Sequence, residues 1–560
     1  MVALRGVLIV LEVPTTTSRV RWTDPLLTLF VAVASAKITH GQLGRMKVKL
    51  GDETLYLAAG LHPDAAHPIA QSSPLYGLWY RALSVFEPEP HRLYLLNWFL
   101  LTATLPVLLF ALARRSGAPR WASVLASIAW AVSGAALVWP SGSKLATVIL
   151  AVGALGATWV PSRFARWTIA AVSLVAAAGI RPELAPAAAL VSLGVAVWGL
   201  SAARVRRRRL LGAALVTAVA LGSAVVLPSP FTDNRTLSAF EQHYALNVAA
   251  AQDARGAPDP VDPWTDAERA TKPAFGDAGS IAEAALENPS AFAWHVGQNV
   301  LKLPAAAASV AGPSRRLGGA LHALSYALLG ALSLAGVIGG ARVLLRRAPG
   351  RRRARAWGPI AVSVAVAGAA SVLTIHPREH YLVAPLFFLF VLAATAAANV
   401  RAPDMLTRRP TLRTAALRTA ALPVALALAA FVVAPSAWLA APPKAKVRKH
   451  TVQRTIGTLK TLGLSGPVRM LEARLGHATY AGLPFHSVDP SERTDDEHMW
   501  DFLDKRGVDV VVVDKRLRAH SRFDDDLQED EEVARAGRHH GFDTVWVEGT
   551  EVILLVRRRS

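Results

Sequence analysis

From residue 93 onward the chain repeatedly runs through about 20 apolar residues and then meets a cluster of arginines. Runs of that length match the hydrocarbon thickness of a bilayer, and a soluble core has little use for so many of them. The expected class is an α-helical polytopic membrane protein. Eleven spans are expected, at 25–38, 93–113, 121–139, 145–160, 167–180, from Glu183 to about 200, then 210–227, 317–345, 358–375, 382–400 and 421–440. Hydrophobic residues make up 52% of the 560 and charged ones only 18%, which agrees with that class.

The arginines fix an expected sidedness. Starting from a cytosolic N-terminus, five basic loops fall inside: Arg114–Arg120, Arg163–Arg166, Arg204–Arg209, Arg346–Arg355 and Arg401–Arg418. Lys and Arg collect in cytoplasmic loops. The net charge of +21 is therefore spent on topology, and nucleic acid is not an expected partner. Residues 1–24 form a cytosolic lead-in, because the apolar stretch 7–13 is short and broken by Glu12. There is no cysteine, which excludes disulfides, iron–sulfur clusters and thiolate zinc sites.

The expected domains are the lead-in, a transmembrane domain at 25–440 and an external C-terminal domain at 441–560. The transmembrane domain carries two long external loops, 39–92 and 228–295. Within the first, Leu75 to Tyr80 reads as an aromatic helix lying along the membrane, and 291–304 reads as amphipathic and re-entrant. The tail changes to mixed, charged composition. Weak strand character at 468–472, a helix at 496–505, a β-branched run at 508–513 and a hairpin over 545–554 predict a small α/β domain.

On this scheme three charged clusters share the external face. Asp52 and Glu53 stand in the first loop, where a carboxylate can take a proton from an attacking hydroxyl; a solvated pair or helix cap is the plainer reading. Arg181-Pro182-Glu183 interrupts an apolar run, and an arginine there can grip a phosphate or simply snorkel to headgroups. His376, Arg378, His380 and Tyr381 begin a late span, where they stabilise a departing phosphate or merely form an interfacial belt. Lys302 and Asn299 are weaker candidates for headgroup or phosphate contact. His62, Asp64 and His67 include metal-ligand types, but in an irregular loop, so no metal and no cofactor is predicted. No nucleophile elbow or metalloprotease helix motif is present.

In this arrangement the chain resembles the polytopic GT-C glycosyltransferases, the group with protein O-mannosyltransferases and lipid A aminoarabinose transferases. Asp52-Glu53-x-x-Tyr56 is similar to the family's acidic motif in the first external loop, and Ser73-Pro74-Leu75-Tyr76 to its interfacial helix. Arg181-Pro182-Glu183 is similar to a mid-chain motif, Asn288-Pro289 through Asn299 to the approach to a later helix, and Arg378-x-x-Tyr381 to a late-span motif. The resemblance spans residues 25–400 and rests on order and common sidedness, each motif being short. It implies a polyprenyl-phosphate-linked sugar as donor, an unidentified acceptor, a bilayer setting and inversion at the anomeric carbon. Asp52, with Glu53 beside it, would supply the catalytic carboxylate. Arg181, Arg378, Tyr381 and His376 would bind the donor phosphate, with Tyr56, Glu183 and Lys302 accessory.

Two other classes fit the hydropathy: a transporter or flippase for a lipid-linked or anionic solute, and a non-catalytic envelope scaffold. A transporter calls for ionisable residues near the midplane and repeated halves, and neither is apparent. A scaffold makes Asp52 dispensable.

Overall fold

The computed structural model describes, apart from a few single positions, residues 23–43, 50–63, 72–201, 234–312, 330–337, 355–397 and 451–558. The lead-in, the expected spans at 210–227 and 421–440 and most of that at 317–345 lie outside the described residues. So do Arg204–Arg209, Arg346–Arg353, Arg401–Arg418, Asp64 and His67.

The described chain is mostly helical, with one small sheet near the C-terminus. In order come α1 (Thr23–Gln42), α2 (Asp52–Leu61), α3 (Pro74–Ser84), α4 (Pro90–Arg115), α5 (Arg120–Val132), α6 (Gly142–Ala157), α7 (Arg163–Ala178) and α8 (Ala185–Ser201). After them come α9 (Asn234–Ala254), α10 (Glu268–Phe275), α11 (Ile281–Glu287), α12 (Pro289–Ala311), α13 (Gly358–Thr374) and α14 (Glu379–Ala396). Four described helices are long and apolar enough to cross a membrane: Pro90–Arg115, Pro182–Gly199, Arg355–Thr374 and Glu379–Ala396. Two shorter ones, Arg120–Val132 and Gly142–Ala157, are also apolar.

Helix α4 defines the two ends of this bundle. At 26 residues it is about 39 Å long. At its C-terminal end, Arg114 and Arg120 both pair with Asp24, at 3.1 and 2.6 Å. The Arg115 side chain reaches Thr158 at the end of α6, and the Trp357 indole donates to Ser116 beside the start of α13. At its N-terminal end, Glu89 pairs with Lys460 of the C-terminal region at 2.5 Å. Arg114, Arg120 and the start of α13 thus share one end. Ser141, Arg181 and Arg378, at the opposite termini of α6, α7 and α13, share the other.

Two expected segments differ. Residues 291–304 do not turn back; they belong to the uninterrupted 23-residue α12, with Pro304 inside it. Near its start His295 bonds carbonyls at the end of α13, and near its finish Ser309 bonds Glu379 at the start of α14. Both contacts lie at the Glu89 end, so α12 runs across that end. The aromatic helix α3 is also not simply surface-laid. Tyr76 and Tyr80, one turn apart, are fully buried, while Leu75 and Leu78 remain exposed. The loop 228–295 is largely helical where described, with a core of Phe240, Tyr244 and Phe275.

The C-terminal region begins with α15 (Thr451–Thr461) and contains strands β1 (Val468–Glu472), β2 (Phe485–Val488), β3 (Val510–Val513), β4 (Phe542–Trp546) and β5 (Ile553–Arg557). Their order is β2-β1-β3-β5-β4, parallel among β2, β1 and β3 and antiparallel for β5 and β4. All four β3 valines are buried, as a strand covered on both faces requires. Val510 and Val512 join the core shared with the helix bundle, whereas Val511 and Val513 join the core of the outer helices.

Candidate active site

The site lies at the Glu89 end, and it begins with Gly51. Its φ of 97° is a backbone conformation that side chains disfavour, and its carbonyl accepts from the Thr54 amide at 2.8 Å to start α2. Successive residues on a helix diverge by about 100°. Asp52 and Glu53 therefore cannot face the same way. Asp52 is half-buried at the rim, while Glu53 is completely inaccessible.

Glu53 is the centre of a buried polar knot. Its Oε1 accepts from the Tyr76 hydroxyl and, at 2.5 Å, from the Tyr80 hydroxyl; its Oε2 accepts from the Ser141 amide at 2.7 Å. Asn97 Nδ2 donates to both tyrosine oxygens at 2.8 Å, and its Oδ1 accepts from Trp79 Nε1 at 2.8 Å. Burial raises the Glu53 pKa, with those hydrogen bonds pulling the other way. The two expected carboxylates thus differ in setting: Glu53 ties α2 to α3, α4 and the start of α6 and is wholly buried, whereas Asp52 is partly exposed. Tyr56, also buried, packs its ring 5.3 Å from that of Tyr76.

The two arginines behave differently. Arg181, 9% exposed, is already neutralised by Glu183 at 2.5 Å, and its guanidinium lies 5.4 Å from the Tyr381 ring centroid. Burial opposes its charge, but Glu183, Tyr381 and Tyr56 outweigh that and hold its pKa above the usual value. Arg181 and Glu183 thus fix Tyr381 in place. Arg378, at the start of α14, has no carboxylate within ion-pair distance among the described residues. It stacks on the Trp264 ring at 5.6 Å. Burial lowers its pKa, the Tyr381 hydroxyl and Asp52 charge restrain the fall, and Arg181 adds to it. Asp52, 326 positions away in the chain, thus contributes to the field at Arg378.

The loop carrying Arg378 is held from beneath. Asn299 Nδ2 donates to the Leu373 carbonyl at 2.9 Å, and His295 Nε2 lies 3.1 Å from the Ile375 carbonyl. These satisfy carbonyls that the end of α13 would leave open. Asn247 of α9 bonds His295 and Asn299 and accepts from Lys302. Lys302 thus braces this network rather than standing alone. His376 stacks on His243, centroids 5.1 Å apart. Burial, then Lys302, Arg378 and His295, push the His376 pKa down to about 3. Burial and Arg378 push that of His243 to about 2. Both rings are therefore neutral at physiological pH.

The structure gathers Asp52, Tyr56, Arg181, Glu183, Lys302, His376, Arg378 and Tyr381 at one end of the bundle and turns Glu53 inward. Sequence reasoning missed Tyr80, Asn97, Asn247, His243 and Trp264. The spacing of Tyr76 and Tyr80, one turn apart, was the only local signal among these. No group of three or more metal-ligand side chains occurs among the described residues. The chain matches no protein-family model, and no characterised protein matches it significantly. Fold and site together define a helical, membrane-protein-like body with a cluster of charged, half-buried side chains at one end.

Proposed function

We propose that this chain is a membrane glycosyltransferase that moves a sugar from a polyprenyl-phosphate donor to an acceptor hydroxyl at the extracytoplasmic face, with inversion. Asp52 takes the proton of the acceptor hydroxyl, and the oxygen attacks the anomeric carbon. The bond from that carbon to the phosphate oxygen breaks, and polyprenyl phosphate leaves with the electron pair. Arg378 grips the phosphate more tightly as its charge grows, which is what lowers the barrier.

The observation that carries this reading is that a rim carboxylate, Asp52, contributes to the field at a half-buried cation, Arg378, which has no carboxylate partner among the described residues. General base and leaving-group clamp need that proximity. Arg181, paired with Glu183, and Tyr381 shape the phosphate pocket, and His376 supplies a neutral imidazole beside it. The arginine-rich end then faces the cytosol, and the C-terminal sheet stands outside.

The test is transfer itself. Membranes bearing the full chain are supplied with radiolabelled polyprenyl-phosphate sugars, and label is followed into material that resists mild acid release from the lipid. Transfer above membranes lacking the chain is expected for at least one sugar; none with any donor would remove the proposal.

A further inference from the structure

We propose that Trp264 is the stacking platform for the saccharide ring of the donor, a deepening that rests on reading Arg378 as the phosphate clamp. Trp264 lies between α9 and α10, and 50% of it is exposed. Its position is built. The Trp264 amide donates to Asp262 Oδ1 at 2.7 Å, a tight Asx turn, and the Asp266 amide donates to the Asp262 carbonyl at 2.9 Å. Asp262 also lies in the field of Arg516 and His520 from the C-terminal region. The indole is thus held from two sides while much of it stays open.

What surrounds the ring selects its occupant. The Arg378 guanidinium sits 5.6 Å from its centroid, and the His243 ring meets it edge-on at 6.2 Å. His243 is 2% exposed, yet among the described residues its Nε2 has no hydrogen-bond partner, and neither has the buried Nδ1 of His376 stacked on it. A buried polar nitrogen without a partner is costly unless a ligand supplies one. The indole itself meets Arg378 and His243, with Asp262 holding its backbone. An open aromatic face, an adjacent cation and unmatched imidazole nitrogens suit a ring with apolar C–H edges and hydroxyl groups, joined to a phosphate. A saccharide phosphate has that chemistry.

The test uses the purified full-length chain and equilibrium dialysis. The probes are a short-chain prenyl phosphate and the same lipid phosphate carrying glucose, mannose or arabinose. Wild type should prefer at least one sugar-bearing probe over the bare phosphate by about tenfold. Trp264→Ala should abolish that margin while holding the bare phosphate within about twofold, and Trp264→Phe should restore most of it. Arg378→Gln should weaken every probe together. A Trp264→Ala protein that keeps the full margin, or a wild type that shows none, overturns the platform. Unchanged binding of every probe by Arg378→Gln overturns the phosphate clamp beneath it.

Discussion

The Tyr80 hydroxyl donates to Glu53 Oε1 at 2.5 Å, from a helix that begins 21 positions later in the chain than Glu53. Four elements converge on that one carboxylate, so it decides where α2, and with it Asp52, can sit. Glu53→Ala would strand two tyrosine hydroxyls and the Ser141 amide, at about 1–3 kcal/mol for each buried group left unpaired. The expected outcome is loss of folded protein, read as a lowered melting temperature in detergent. Tyr80→Phe should cost only about 1 kcal/mol. Wild-type melting of Glu53→Ala would contradict the assignment.

Arg181 and Arg378 should separate by experiment. Glu183→Gln leaves the Arg181 guanidinium buried and unbalanced, a change expected to cost about 3–5 kcal/mol of stability. Arg378→Gln removes a cation with no ion-pair partner among the described residues, so melting should stay near wild type. Transfer should instead fall by a factor of about 100 or more. Melting curves and rates on the same preparations check both.

The His243–His376 stack makes the site acid-sensitive. Each ring titrates in the unfolded chain near pH 6.5 and in the fold at about 2 and about 3 respectively. As pH falls below about 6.5 the unfolded chain binds protons that the fold refuses, so stability present above that pH is progressively lost. At pH 5 the loss is about 2 kcal/mol per ring. Melting measured from pH 7.5 to 5 should decline, and His376→Phe should flatten the decline.

The C-terminal region is seated on helix α2. Gly476 has a φ of +149°, and a Cβ there would lie 2.7 Å from Thr54 Oγ1 and 2.8 Å from Leu50 Cδ2. Thr54 is two positions along α2 from Asp52. Gly476→Ala should therefore loosen docking by about 1–3 kcal/mol. Faster proteolytic release of the C-terminal fragment, with slower transfer by the intact chain, is the expected result.

Much of the body was legible because long apolar runs leave few alternatives. Residues 358–375 and 93–113 fell within a few positions of α13 and α4. Strand β3 was legible from a β-branched run and β1 more weakly; the expected hairpin over 545–554 is formed by β4 and β5, which reach beyond it at both ends, while β2, whose residues are mostly half-buried or exposed, gave no such run. The site was only partly legible. That Asp52 and Glu53 part company follows from helical geometry once α2 is known, but the two loop carboxylates read as a pair. The Asn247, His295 and Asn299 brace was hidden because its tertiary partners are 48 to 80 positions apart, and no local pattern encodes such a meeting. Trp264 read as one aromatic in a polar loop, since only the fold brings Arg378 to it.

The central claim is that Asp52 activates the acceptor while Glu53 only supports it. The most direct measurement is transfer of labelled sugar from polyprenyl phosphate by membranes carrying Asp52→Asn, with abundance and melting matched to wild type. The account predicts a loss of about 100-fold to 10,000-fold, the range a general base contributes. Transfer at the wild-type rate by that folded variant would contradict it.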